Sequence, residues 1–288
     1  MKGPTPRFLV PRHWTPEQHF ANFKQFDGFA RTQEPQYSRN AEQQIEDDLS
    51  VLTALMVALF ETDSRDDSVK LSSARAFLDR AEELLNNQQQ SRWFRRFRLL
   101  NERHARRVIN LLAQEINVSG VTAGSLWDTN LVRAAEERAN LLAGGVTDTT
   151  FDGIKYKILE GQREGWDVNR QTREVREALD QGLVVRDDDG NVIRVMGKTE
   201  RARLVARTET AAITNRASLL GVQNATIERW KNWISQRDDR VRPSHLAEDF
   251  DSEPDGIPLD GVFPNTGMTY PHAINERCFL VYQRPPND

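Results

Sequence analysis

The chain has 288 residues, a length that suits one large domain or two ordinary ones. Hydrophobic residues make up 38% and charged residues 28%, with a mean hydropathy of -0.66, so a core is affordable but an elongated or partner-dependent fold with much exposed surface is expected. The net charge of -4 excludes attraction to nucleic acid by overall charge and leaves only a local basic patch for that role.

The first forty residues combine Pro4, Pro6, Pro11, Pro16 and Pro35 with an aromatic series that includes Phe8, Phe20, Phe23 and Phe26. The prolines break regular structure, although Phe20, Phe23 and Phe26 lie about a turn apart and Pro16-Glu17 can open a short helix. Residues 1–40 therefore read as an N-terminal arm, which either docks on a partner or folds back on its own body. The opening Met1-Lys2-Gly3-Pro4 leads into no apolar run, so no secretory signal is expected. The longest apolar run, Val51 to Phe60, is about half the roughly 20 residues of a membrane span. A soluble protein with no membrane partner is expected.

Residues 41–182 read as a helical domain. Ile45, Leu49, Leu52 and Leu59 keep helical spacing from Ala41 to Phe60, with Glu42, Glu46, Asp47 and Asp48 crowding the expected first turns, where the dipole favours acid. A polar loop at Ser64 to Ser68 and a second helix from Val69 to Asn86 follow, closed by the polar break Asn86-Asn87-Gln88-Gln89-Gln90. A third helix from Ser91 to Ile116 turns Trp93, Phe97, Leu100, Val108, Leu111 and Leu112 inward. Its other face carries Arg92, Arg95, Arg96, Arg98, Arg103, Arg106 and Arg107. After the loop Asn117 to Gly124, a fourth helix runs from about Asp128 to Gly144-Gly145, where glycine should end it. Asp148-Thr149-Thr150 can cap a fifth helix to Gly161, and Asn169 to Gln181 forms a sixth.

Residues 183–288 read differently. Val184 to Ile193 is a hairpin around Asp187-Asp188-Asp189-Gly190, Lys198 to Gly221 is one more helix, and Thr226 to Ser235 alternates loosely as a strand whose Trp230 and Trp233, flanking Lys231, read as core packing ahead of an aromatic binding surface. Beyond Pro243 the chain is dense in Pro, Gly and Asp, with Phe279-Leu280-Val281-Tyr282 fitting an edge strand. The fold class expected is mostly α, a helical N-terminal region followed by a small α+β C-terminal domain.

The strongest local signal is Arg207-Thr208-Glu209-Thr210, then Trp230, then Asp238-Asp239-Arg240-Val241-Arg242-Pro243-Ser244-His245, then Tyr270-Pro271 and Asn275-Glu276-Arg277-Cys278. An ARTET helix, a W…DxRVRxSH stretch, a YP and a terminal N-x-R-C in this order resemble the phage Mu F-like head morphogenesis family. Only the C-terminal third carries the likeness. The resemblance implies a minor capsid protein of a tailed bacteriophage, inside the virion near the portal and in the host cytoplasm during assembly. Its implied partners are the portal protein or the major capsid protein, with double-stranded DNA as a further contact, and some members of the family associate with DNA or influence its delivery. Many relatives carry cysteines near the positions of Arg242 and His245 and beside the terminal cysteine; this sequence departs from them with Arg242, His245 and Glu276.

Read for their chemistry, Arg207 can pair with Asp238 or Asp239 and Glu209 with Arg240 or Arg242, bidentate links that would clamp the helix to the irregular tail. With His245, these residues form the expected structural clamp. A competing reading makes the C-terminal domain a metal-dependent hydrolase, because Glu209, Asp238, Asp239, His245, His272 and Cys278 are ligand types that suit zinc. The single cysteine excludes both an internal disulfide and a site needing two thiolates, which leaves His245, His272 and Cys278 as the metal candidates. A Cys278–histidine protease has no activating motif around it, and Arg207-Thr208-Glu209 is too short to mark an ADP-ribosyltransferase. No cofactor and no catalytic residue is expected. The other candidate surface is the strip Arg92, Arg95, Arg96, Arg103, Arg106 and Arg107. It can neutralise DNA phosphates with salt-sensitive affinity, answer an acidic protein surface such as Glu42 to Asp48, or stay solvated.

Overall fold

The computed structural model describes residues 6–10, 15–60, 78–115, 126–164, 183–186, 192–225, 229–252, 255–275 and 277–286, with isolated positions at 170, 173, 174 and 177. Several expected features lie outside the described residues: the loop Ser64 to Ser68, the first part of the Val69–Asn86 helix, the loop Asn117 to Gly124, most of the Asn169–Gln181 helix and the hairpin turn Asp187 to Asn191.

The protein is mostly α-helical with a small antiparallel sheet in its C-terminal region. Helices α1 (Pro16–Arg31), α2 (Glu34–Phe60), α3 (Gln90–Glu115) and α4 (Leu126–Arg163) come first, with a π-helical run Leu84–Gln89 leading into α3. Strands β1 (Leu183–Arg186) and β2 (Val192–Met196) form the hairpin, and α5 (Lys198–Gln223) follows. Strand β3 (Trp230–Ile234), helix α6 (Pro243–Asp251), β4 (Ile257–Pro258) and β5 (Phe279–Gln283) complete the chain.

The chain divides into two compact units that cut across sequence order. The first comprises residues 1–37, 98–138 and 204–288, and the second 38–97 and 139–203. The expected divisions at 40 and 182 do not coincide with these limits, because α2, α3, α4 and α5 each continue past a division point. The hairpin β1–β2 belongs to the second unit and not with the C-terminal sheet.

In the first unit the sheet order is β4-β3-β5, all antiparallel. The remaining edge of β5 is met by the N-terminal segment: Leu9 bridges Tyr282 in parallel, the Val10 amide donates to the Tyr282 carbonyl at 2.9 Å, and the Tyr282 amide to the Phe8 carbonyl at 2.7 Å. The Glu115 carboxylate accepts from the amides of Phe8 and Leu9, the latter at 2.8 Å. Phe8, Phe23 and Phe26 are buried in the same core as Trp233, Phe279 and Leu280, with Phe26 stacked on Phe279. The supposed arm is thus part of the core, since Phe8, Phe23 and Phe26 need apolar cover that the sheet face supplies. Helix α1 starts where Pro16 allows, under a capping box of Thr15 and Gln18.

The second unit packs Ala41, Ile45 and Leu52 of α2 with Trp93 and Phe97 of α3 and Val146 of α4 among its buried residues. Helix α4 does not stop at Gly144-Gly145 as expected but runs 38 residues without a break. A mid-helix glycine costs only about 1 kcal/mol, and Thr150 back-bonds to the Val146 carbonyl at 2.8 Å instead of capping a new helix. Helix α2 likewise begins at Glu34, so the acidic residues from Glu42 lie beyond its first turn. Asp48 is buried there, accepting from Trp93 Nε1 at 2.6 Å and Gln44 Nε2 at 2.9 Å. Arg201 donates to the Val146 carbonyl and to Thr150 Oγ1.

Candidate functional site

The residues that carried the strongest sequence signal come from α5, the turn after β3, α6 and the loop before β5, all in the first unit. They converge through hydrogen bonds between positions far apart in sequence. Asn215 Nδ2 donates to the carbonyls of Pro271 at 3.0 Å and Cys278 at 2.9 Å, and its Oδ1 accepts from the Leu280 amide at 3.0 Å. Thr208 Oγ1 accepts from the Asn275 amide at 2.9 Å, and Arg207 donates to Asn275 Oδ1 at 2.9 Å. The asparagines and the threonine thereby tie α5 to the irregular segment 270–278.

The clamp forms with other partners than those expected. Glu209 is fully buried and meets Arg138 of α4 at 2.6 Å, with Asn101 of α3 at 3.4 Å. Burial works against the Arg138 charge, but Glu209 beside it raises its pKa above the ordinary value, and Tyr270 lies alongside. Arg207 stays half-buried toward the 275 loop. Asp238 is taken by Arg240, two residues on, at 2.8 Å, and that hydrogen bond holds its carboxyl below the usual range. Arg242 donates to the Ile274 carbonyl at 2.6 Å, and Asp239 is exposed. The reason is helical geometry: positions 207 and 209 face about 200° apart on α5, so a glutamate aimed at the helical core cannot also reach Arg240 or Arg242.

The hub that sequence reasoning missed is Asp249 on α6. Its carboxylate accepts from the Ser235 amide at 2.8 Å and the Ser235 hydroxyl at 2.5 Å. It also takes Arg237 at 2.7 Å and His19 Nε2 at 3.2 Å. Burial alone would raise this carboxyl, but the bonds from His19, Arg237 and Ser235 keep it below its ordinary value. Arg237 has φ of 56°, a conformation costly for any residue with a Cβ, and Asp249 fixes it there. Helix α6 itself lies in a stretch that read as irregular; Pro243 at its first position was the available cue. Lys231 was also missed. Its ammonium is buried under the sheet and donates to the carbonyls of Leu259, Gly261 and Thr269 within 2.9 Å, and burial lowers its pKa to about 8.

The turn 236–242 and the 275 loop frame a cavity of about 480 Å³ whose wall carries Arg31, Arg207, Arg240, Arg242 and Arg277. Its inner end holds His245 and Cys278, both buried, with Sγ 3.9 Å from Nδ1. His272 instead bonds the Tyr270 carbonyl through Nδ1 at 2.7 Å and is not among the residues that line the cavity. Of the residues considered as zinc ligands, Glu209 is engaged by Arg138. Among the described residues no group of three histidine, cysteine or acidic side chains is placed to hold a metal ion.

On α3, Arg92, Arg95, Arg103 and Arg107 are exposed, and Arg96 and Arg106 are half-buried. Arg96 meets Asp47 at 3.2 Å and the Asn40 carbonyl, and Arg106 meets Glu102 at 3.2 Å. Thus Asp47, within the acidic cluster from Glu42 to Asp48, answers one arginine of the strip. Among the described residues no helix is long and apolar enough to cross a membrane. No family model, curated protein or solved structure matches this chain.

Proposed function

We propose that this is a minor head protein of a tailed phage that acts by binding, to the portal or the inner capsid wall, and not by turnover. The observation that supports the reading is the convergence of the resemblance-bearing segments. Thr208, Asn215, Pro271, Asn275 and Cys278 are joined by direct hydrogen bonds, and Glu209 is closed off against Arg138. A buried, mutually satisfied polar frame fixes a shape, which is what a docking unit needs. The test is location: labelled protein in purified heads should be found at the portal vertex in low copy. Absence from heads, or an even distribution over the shell, would overturn the assignment to the portal region.

A second reading, contact with packaged DNA, is favoured by exposed arginines in each unit: Arg92 and Arg95 in the second, Arg103 and Arg107 in the first. Duplex affinity measured against salt should lose about 0.9 of slope for each phosphate contact removed by Arg95→Glu or Arg103→Glu. Unchanged affinity and slope in both variants would remove the strip from DNA binding.

A further inference from the structure

We propose that the cavity beside α6 is a binding site for a compact anion bearing two or more phosphate groups. This goes beyond the assembly role and does not rest on it.

Five guanidinium groups, from Arg31, Arg207, Arg240, Arg242 and Arg277, line one cavity of about 480 Å³. They come from four separate parts of the chain: α1, α5, the turn before α6 and the loop before β5. Cations gathered in this way repel one another, and a wall of this kind is stabilised by an anion between them. The acids nearby offset part of that charge from outside the cavity. Asp27 is engaged by Arg31 at 2.8 Å on α1, Asp238 by Arg240, and neither lines the cavity. Glu34, which feels Arg207, Arg31 and Arg277, has its carboxyl raised by burial and likewise stands outside the lining.

A second feature points the same way. Helix α6 opens at the cavity through Val241, Arg242 and His245, and its first turn has no side-chain cap. The positive end of a nine-residue helix therefore adds to the guanidinium field. Guanidinium forks match phosphate oxygens two at a time, and five of them exceed what one phosphate can use. The lining has no phenylalanine, tyrosine or tryptophan, and its one imidazole, His245, is buried and already packed edge-on against Trp233, so the wall offers far more to phosphate than to a nucleobase. The recognised part is the phosphate chain. The volume admits a few linked phosphates and not a duplex some 20 Å across.

The mould is stiff where it must be. Arg237, at φ 56°, and Asn275, at φ 61°, hold the two loops that frame the opening, the first through Asp249 and the second through Arg207 and Thr208.

Calorimetric titration of the full chain at low salt with inorganic tripolyphosphate should give one saturable site, weakened by salt. Arg240→Gln and Arg242→Gln, at exposed positions, should each weaken it about tenfold, as expected for loss of one charged hydrogen-bonding group. Arg103→Gln, on the far strip, should leave it unchanged, and circular dichroism should show all variants folded. Adenosine triphosphate, used as a competitor, should displace tripolyphosphate, whereas a short duplex should not; displacement by the duplex would place the binding outside this cavity and overturn the proposal. No saturable binding of tripolyphosphate, or binding weakened equally by Arg103→Gln and Arg240→Gln, would overturn it.

Discussion

Glu209 illustrates how one side chain decides the interior of the first unit. A carboxylate with no exposed surface is tolerable only when its charge is answered at close range, because desolvating an isolated ion costs several kcal/mol. Arg138 does this at 2.6 Å. Replacing Glu209 by Gln keeps the volume and one acceptor oxygen, puts an amide donor in place of the other, and leaves the guanidinium buried and unbalanced. Glu209→Gln should therefore lower unfolding stability by about 3 kcal/mol in urea, and Glu209→Gln with Arg138→Met should recover part of the loss, since the orphaned charge is gone. A single-variant loss below roughly 0.5 kcal/mol would mean that the pair is solvated and does not brace the helices. The identity of this partner was not legible in the sequence: Glu209 stood in a recognisable run, whereas Arg138 is one arginine of a charged helix with no spacing to mark it as buried. Asp249 is the same case, its five hydrogen bonds coming from His19, Ser235 and Arg237.

At the level of elements, amphipathic spacing located α3 to within a residue at each end, because burial of one face both produces the pattern and stabilises the element; α5 and the strand at Trp230 are buried on nearly all sides and carry no such one-sided pattern. Helix ends were legible only where local chemistry and packing agree. Pro16 opens α1 as its type predicts, but Gly144-Gly145 does not close α4. The glycine signal is worth about 1 kcal/mol, and packing along 38 residues exceeds it. A Cβ at Gly144 would meet nothing nearer than Gln90 Nε2 at 3.7 Å, ordinary contact. Gly144→Ala should thus stabilise the protein by about 0.5–1 kcal/mol, read from thermal unfolding; a lower melting temperature would show that the position needs glycine. Gly256 is the opposite case. Its φ is +72°, and a Cβ there would lie 2.7 Å from Asn232 Oδ1 and 2.9 Å from the Lys231 carbonyl, so Gly256→Ala should cost on the order of 2 kcal/mol.

Over the whole molecule, the two units carry buried carboxylates of opposite sign in their response to pH. In the second unit, burial pushes the Asp48 carboxyl up to about 6 from 3.8, although Gln44 and Trp93 hydrogen-bond to it. The folded state then prefers the protonated acid, so its contribution is fully present below the unfolded value near 4 and is lost as pH rises through about 6. The difference amounts to something on the order of 3 kcal/mol. In the first unit, Asp249 is held below its ordinary value by His19, Arg237 and Ser235. Its contribution is present above about 4 and is lost as pH falls through the lower folded value. Acidification from pH 7 to 5 should therefore increase amide protection in 38–52 and 84–97, after correction for intrinsic exchange, and leave 230–252 unchanged. Further acidification below about 4 should loosen 230–252. Asp48→Asn keeps a neutral acceptor for Trp93 and should flatten the first trend while raising stability at pH 8. Should protection in 84–97 fall between pH 7 and 5, or rise equally in the variant, Asp48 would not be the group that sets the pH response of that unit.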